Sequence, residues 1–156
     1  MKRFLKPVSI FAVVVLVAIQ FVQPAKNLGE PTENHLFRQS EIPINVQTVL
    51  QNACLDCHSD YTNYKWYHQA APVSWFVANH IREGKRELNF STWESISAID
   101  QVSLLEDMKK EVEEGEMPLK SYTLVHHEAR LSAAQKDSLY DWIVAYQELL
   151  LLKAFE

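Results

Sequence analysis

Two cysteines and a histidine lie within one short segment, Cys54-Leu55-Asp56-Cys57-His58. This is the C-x-x-C-H pattern of c-type haem attachment. Two thiols at this spacing must reach the two vinyl groups on one edge of a porphyrin, and the following residue must bring an imidazole to the iron. The segment therefore predicts one covalently bound haem c, attached through Cys54 and Cys57, with His58 as an axial ligand of the iron.

Three other uses of a Cys-x-x-Cys pair stay open on the sequence. A redox-active dithiol of the thioredoxin kind normally sits in a βαβ context, which the sequence does not indicate. A structural zinc site needs two further ligands, and the only candidates, His126 and His127, are adjacent rather than separated. A disulfide across two intervening residues closes a very small ring and adds little loop entropy. Haem attachment is the interpretation that the motif favours.

The second axial ligand is predicted to be Met117. It follows Gly115, which is suited to end a helix, and it precedes Pro118, so it lies on an irregular segment that can approach a metal. A methionine thioether opposite histidine is a standard pairing at haem iron and raises the reduction potential. His80 is the rival ligand, because it lies on the apolar face of a predicted helix. The alternative role for Met117 is to fill the core.

The other candidate ligands have simpler explanations. Met108 belongs to an apolar helical stripe, and His126 and His127 lie among polar residues and are expected at the surface. Aromatic residues are frequent after the motif, and several are expected to line the haem pocket, where burial shields the iron from water. They are Tyr61, Tyr64, Trp66, Tyr67, Trp75, Phe76, Phe90 and Trp93.

Helices must position these residues. Apolar side chains at spacings of three, four and seven predict one helix from Pro43 to Ala53 that leads directly into Cys54. A second helix starts at Pro72, carries His80 and ends at Gly84. A third runs from about residue 99 to Gly115, and a fourth opens at residue 132 with a capping-box pattern. Residues 61–69 are predicted as a loop. The body is thus predicted to be all-α, with four to five helices around one core.

The N-terminal residues 1–23 combine three cations with an apolar run from Val8 to Val22. We predict an uncleaved signal anchor that crosses a bacterial cytoplasmic membrane once, because no small-x-small pair marks a cleavage site. Basic residues before the span place the C-terminal body in the periplasm. Cleavage and secretion to the periplasm is the alternative.

Residues 24–42 are rich in proline and polar side chains and are predicted as a linker, and residues 43–156 form the predicted haem-binding domain. The formal net charge is −5, and removing the three cations of residues 1–24, which contain no acid, leaves −8 on the remainder. An acidic body is repelled by phosphate backbones, so nucleic-acid binding is not expected and a basic protein partner is conceivable.

The stretch from about Ile42 to Pro118 resembles a small bacterial family of single-haem "haem-binding domain" proteins. The resemblance lies in the Cys-x-x-Cys-His motif, the aromatic loop after it, Ala71-Pro72-Val73-Ser74-Trp75 and Asn89-Phe90-Ser91-Thr92-Trp93. Glu116-Met117-Pro118 is similar to the Met-Pro ligand segment of small cytochromes c. The resemblance implies haem binding and a cytochrome-c-like helical fold, with Cys54, Cys57 and His58 as the haem-binding residues.

These observations predict an electron carrier rather than an enzyme. One haem at the outer face of the membrane, with a methionine as sixth ligand, suits electron exchange with an unidentified redox protein. The alternative function is a sensor or binding domain for a small gas, in which the sixth position of the iron is open. A peroxidase role is disfavoured, because the bacterial dihaem peroxidases need two haems and one motif supplies one.

Overall fold

The chain folds into α-helices in a computed structural model that describes residues 2–30 and 32–155, residues 2–5 by their backbone alone. The helices of this part are α1 (Lys2–Ile19), α2 (Leu36–Gln39), α3 (Ile44–Ala53), α4 (Leu55–His58), α5 (Val73–Glu87), α6 (Ala98–Glu114), α7 (Lys120–Thr123) and α8 (Ala133–Ala154). Short 3₁₀ helices span Trp66–Gln69, Phe90–Ser95 and His127–Ala129. The described residues contain no β-strand, only an isolated bridge between Leu28 and Tyr61. The predicted all-α class is confirmed, and the cytochrome-c-like arrangement stays a prediction.

One hydrophobic core lies between α3, α6 and α8. Each helix contributes residues three, four or seven positions apart, which share one face. The core residues of these helices are Val46, Val49, Leu50, Leu105, Met108, Val112, Leu139, Trp142, Ile143, Tyr146 and Leu150. Trp93 is fully buried beside them, and its indole N–H donates to the hydroxyl of Tyr146 at 3.0 Å. The core thus fixes α3, and with it the Cys-x-x-Cys-His segment that follows α3.

Local signals set the ends of α6 and α8. Gly115 ends α6 in the left-handed region at φ 76°, where a residue without Cβ has no steric cost. Ser132 caps α8, and its hydroxyl and the Gln135 side chain form the predicted capping box. The predicted third and fourth helices are confirmed at these positions.

The region around α5 differs from the sequence prediction in two ways. The helix does not end at Gly84 but continues to Glu87, since Gly84 keeps helical geometry. The absence of a side chain at Gly84 instead allows α5 to lie close to the backbone of Cys57. Residues 61–69, predicted as a loop, contain a 3₁₀ turn at Trp66–Gln69. Both differences follow from tertiary packing that a local pattern does not encode.

The membrane anchor predicted for residues 1–23 is not supported. Helix α1 has 18 residues, and its sequence includes Lys2, Arg3 and Lys6, which shortens the apolar stretch. Within the described part of the chain, no helix has the length and apolar composition required to cross a membrane.

Parts of residues 24–42, predicted as a linker, pack on the helical body. Leu36 is fully buried and Ile42 is nearly so. The amide of Asn27 donates to the carbonyl oxygen of Ser59 and to the hydroxyl of Thr62 at 2.9 and 3.0 Å. The proline content excludes a long helix here, but it does not prevent burial of single apolar side chains.

Candidate functional site

The Cys-x-x-Cys-His segment forms a sharp helical bend. Cys54 ends α3 and begins α4, and its carbonyl oxygen accepts the N–H groups of Cys57 and His58 at 3.1 and 2.9 Å. This turn brings the side chains at positions 54 and 57 to one side, as residues three apart on a helix are neighbours. Both cysteines are free thiols. Burial raises the pKa of Cys54 to about 12 and that of Cys57 to about 11, so both sulfurs stay neutral.

The imidazole of His58 is oriented by a backbone carbonyl. Its Nδ1 lies 3.0 Å from the carbonyl oxygen of Leu88. A carbonyl only accepts, so Nδ1 carries the proton and Nε2 keeps a free lone pair. Burial lowers the pKa of His58, which favours the neutral ring, although bonds to the backbone of Leu88 and Gly84 oppose this shift. A neutral imidazole held through its other nitrogen is the form that binds metals.

The residue between the cysteines holds the segment in place. The carboxylate of Asp56 accepts the backbone N–H of Asn63 at 2.9 Å and the hydroxyl of Tyr122 at 2.8 Å. Its backbone carbonyl accepts the hydroxyl of Thr62 at 2.6 Å. These three bonds tie α4 to the loop after it and to α7, so the thiols are presented by a fixed backbone.

Helix α5 approaches α4 at a glycine. A Cβ placed on Gly84 would lie 2.9 Å from the carbonyl oxygen of Cys57, closer than real contacts allow. Only glycine therefore permits this distance between the two helices. Since Leu88 is the residue that follows α5, the same approach sets the position of the carbonyl that orients His58.

A cavity of about 590 Å³ opens on this segment and is lined by all four predicted site residues, Cys54, Cys57, His58 and Met117. Phe90, Leu104 and Met108 contribute apolar wall. The volume is in the range of cofactor pockets. Two thiols, a neutral imidazole with a free Nε2 and a thioether form the donor set that a c-type haem uses, so the residues present fit this group.

Met117 reaches the cavity because the chain turns at Gly115. The backbone N–H of Met117 bonds to the carbonyl oxygen of Glu111 at 3.0 Å, and the side chain is half-buried against the core. His80 also lines this cavity. It was expected on the buried face of its helix and is only half-buried, with Nδ1 bonded to the carbonyl oxygen of Phe76 at 2.9 Å. Both candidate second ligands therefore face the same space.

The segment of residues 120–129, called the 120s segment below, differs from the sequence prediction. His126 was expected at the surface but is 3% exposed, whereas His127 is exposed. The ring of Tyr122 stacks on His126 at 4.0 Å between centroids, and the Tyr67 hydroxyl is hydrogen-bonded to Nε2 of His126. His126 is buried because the irregular chain after α7 folds over the aromatic loop, and no period in the sequence indicates this.

The alternatives to haem gain no support from the geometry. Among the residues that the structure describes, no group of three or more His, Cys, Asp or Glu side chains could hold a metal ion. The βαβ context of a thioredoxin-like dithiol is absent from residues 2–30 and 32–155, which contain no strand. The free thiols of Cys54 and Cys57 do not form a disulfide.

Comparison with known families gives a match to the model described as "Haem-binding domain" over residues 14–145. Comparison with curated proteins and with solved structures gave no match. The matched range spans most of the chain and includes α3 to α7, the cavity and every candidate ligand. The expected resemblance is confirmed, and the chain belongs to the haem-binding domain family.

Proposed function

We propose that this protein carries one covalently attached c-type haem and transfers electrons between redox proteins. Cys54 and Cys57 would form the two thioether bonds, with His58 and Met117 as the axial ligands of the iron. The proposal includes export, because covalent haem attachment in bacteria takes place outside the cytoplasmic membrane. The periplasm is therefore the proposed compartment, and no enzymatic reaction is proposed.

One observation carries this proposal: the four residues converge on a single cavity of about 590 Å³. They come from α4, the α3–α4 junction and the segment after α6, so their convergence does not follow from the motif alone. The hydrogen bond from His58 to Leu88 adds a second argument, since it leaves Nε2 as the only ring nitrogen available to iron.

The chain's own residues have distinct roles in this proposal. The bound haem would supply the one-electron redox centre. Asp56, Tyr122 and Gly84 fix the backbone that presents the thiols. Phe90, Leu104 and other apolar walls exclude water, which raises the reduction potential. A methionine ligand raises it further and leaves little to reorganise when the electron moves.

The charge at the cavity suggests the kind of redox partner. Its charged lining residues are mainly acidic: Asp56, Glu83, Glu87, Asp107, Glu111 and, as the one cation among those that the structure describes, Lys110. An acidic rim favours approach by a basic protein surface. We expect oxidation of the reduced protein by a cationic cobalt complex to slow as salt is added, and oxidation by anionic ferricyanide to accelerate. The opposite salt dependence would contradict a basic partner.

Mass spectrometry of protein expressed with a haem-c maturation system tests the proposal directly. The chain has two cysteines, so a covalent adduct of one haem can only involve Cys54 and Cys57. The double variant Cys54→Ala/Cys57→Ala is the control and should gain no mass. Matured protein without the adduct, or with the two sulfurs joined to each other, would contradict covalent attachment.

Carbon monoxide separates the electron carrier from the gas-binding alternative. If Met117 holds the sixth position, the spectrum of the reduced protein should change slowly or not at all when carbon monoxide is added. Rapid and complete binding would favour a gas-binding domain instead.

A further inference from the structure

A second cavity lies beside the proposed haem cavity. It measures about 400 Å³ and is enclosed by the aromatic loop, the first turns of α5 and the 120s segment. The two cavities share Asp56, Cys57, His80, Leu119 and Tyr122. His58 and Met117 line only the larger cavity, whereas His68 and His126 line only the smaller one.

The walls of this second cavity are apolar, and several remain exposed. Trp66 is 81% exposed, Phe76 53% and Val73 42%, although all three line the cavity. Exposed apolar side chains that surround a concave opening often mark a ligand or partner site, whereas single exposed apolar side chains scattered over a surface do not. A flat apolar ring is the shape that such aromatic walls accommodate.

One ring nitrogen in the cavity wall has no protein partner. His68 is 7% exposed, and its Nδ1 accepts the backbone N–H of Lys65 at 3.1 Å. The neutral ring therefore carries its proton on Nε2, and none of the residues that the structure describes bonds to this nitrogen. Burial lowers the pKa of His68, which favours the neutral ring. Because this nitrogen opens on the cavity, its N–H can donate to water, and the oxygen of a bound ligand could take the place of that water.

Polar groups beside His68 extend this end of the cavity. The His68 and His126 rings stack with centroids 6.1 Å apart, and the Tyr67 hydroxyl bonds to Nε2 of His126. The cavity thus combines apolar walls with a small polar end built from two histidines and a tyrosine. A ligand for it should be a planar apolar ring that carries oxygen atoms, and its position beside a redox cofactor favours a ring that can itself be oxidised.

We propose that this second cavity binds the ring of a quinol, which donates electrons to the haem. The inference rests on the proposed function in one respect, because the haem is the acceptor of the electrons. The binding of the ring in the cavity does not depend on the haem. Oxidation of a quinol to a quinone breaks two O–H bonds and releases two electrons and two protons. The two electrons would reduce the ferric haems of two chains, one electron in each, and the two protons would pass to water.

Calorimetric titration of the matured holoprotein with menadione, a quinone without a long tail, tests the binding site. Menadione reacts with free thiols, and in the holoprotein both sulfurs are held in thioether bonds. We expect His68→Phe to weaken menadione binding about threefold to tenfold, since one hydrogen bond to the ligand is lost. The matched control His127→Phe, at an exposed position, should bind like the unmodified protein.

A second pair of variants keeps the test valid if His68→Phe folds poorly. Val73→Trp places a large side chain in the cavity and should abolish menadione binding, whereas Val144→Trp, at a similarly exposed position on α8 that lines neither cavity, should not. Stopped-flow reduction of the ferric protein by menadiol should slow in Val73→Trp and stay unchanged in Val144→Trp.

The outcomes separate this inference from the proposed function. Attached haem with no menadione binding, or with equal binding by Val73→Trp and Val144→Trp, would overturn the quinol site and leave the electron carrier intact. If no haem is attached, the same titration on Cys54→Ala/Cys57→Ala protein still decides the binding site. Binding there that is lost in Val73→Trp would support a quinone site without the haem.

Discussion

At the scale of single residues, contacts outside the Cys-x-x-Cys-His motif support the proposed haem site. His58 is oriented by the carbonyl oxygen of Leu88, and Asp56 is bonded to Tyr122. Met117 is turned towards the cavity by the left-handed Gly115. Such supporting contacts usually decide how well a metal site works, because they fix the geometry of the ligands before the metal binds.

Replacing Met117 tests its role at the iron. We expect Met117→Ala to keep the haem attached, because Cys54 and Cys57 hold it, but to change the absorption spectrum and lower the reduction potential. Met108→Leu is the control, since Met108 lines the same cavity and the change conserves volume. An unchanged spectrum in Met117→Ala would transfer the assignment to His80, and His80→Ala should then alter the spectrum.

The candidate ligands could be predicted from the sequence, but the second cavity could not. Cys54, Cys57 and His58 form a local pattern, and Met117 follows a local helix stop, so short-range signals suffice. Tyr67 and His126 are 59 positions apart and meet only because two irregular segments pack together. Irregular segments have no period, so nothing in their sequences indicates which side chains become buried.

At the scale of secondary-structure elements, the contact between α4 and α5 depends on Gly84. In most helices, replacing glycine by alanine stabilises the fold by up to about 1 kcal/mol. Here a Cβ would press on the Cys57 carbonyl at 2.9 Å, so we expect Gly84→Ala to lower the free energy of unfolding by about 1–3 kcal/mol and to reduce haem attachment. Urea unfolding and the yield of haem adduct are the measurements.

Gly115→Ala is the control for this contact. Gly115 has φ 76°, and a Cβ added there would meet no atom within 4 Å, so the substitution strains the backbone by about 1–2 kcal/mol without touching α4. Haem attachment should stay normal in this variant. If Gly84→Ala stabilises the protein as in an ordinary helix, the close approach of α5 to Cys57 is not required.

The short helix α2 makes stability depend on pH. His35 caps it, with Nδ1 accepting the backbone N–H of Phe37 at 3.2 Å, so the folded state needs a neutral ring. Burial lowers the pKa of His35 below 6.5, against the opposing charge of Asp60. The unfolded chain therefore binds this proton first as pH falls, and the stability present above pH 6.5 is lost below it.

The variant His35→Asn separates the cap from the titration, because asparagine is a good N-cap and has no proton to gain in this range. Between about pH 7 and 5, the free energy of unfolding of His35→Asn should fall less steeply with decreasing pH than that of the unmodified protein. The two slopes should differ by up to about 1.4 kcal/mol per pH unit. Exposed His127→Asn is the control and should keep the original slope. Equal slopes in all three proteins would show that His35 does not carry the acid sensitivity.

At the scale of the whole molecule, the sequence predicts the four long helices of the body because caps and apolar stripes are local. The domain boundary at residue 43 stays a prediction. Residues 24–42 have the composition of a linker, yet Leu36 is fully buried, and buried Phe90 and Trp93 belong to the same core cluster. A single apolar side chain can anchor an irregular segment, and composition does not reveal which one does so.

Two truncations decide where the folded domain begins. Starting at residue 24 removes α1 and the turn that follows it. The bonds of Gln20 to Ala71 and of Val22 to Trp75 are lost with that turn, which should cost about 1–3 kcal/mol. Starting at residue 43 also removes Leu36, whose loss alone opens a core cavity worth about 2–5 kcal/mol. We therefore expect urea unfolding to show a folded protein for the first truncation and an unstable one for the second. Equal stability would mean that residues 24–42 are the linker that their composition indicates, and that the core closes without them.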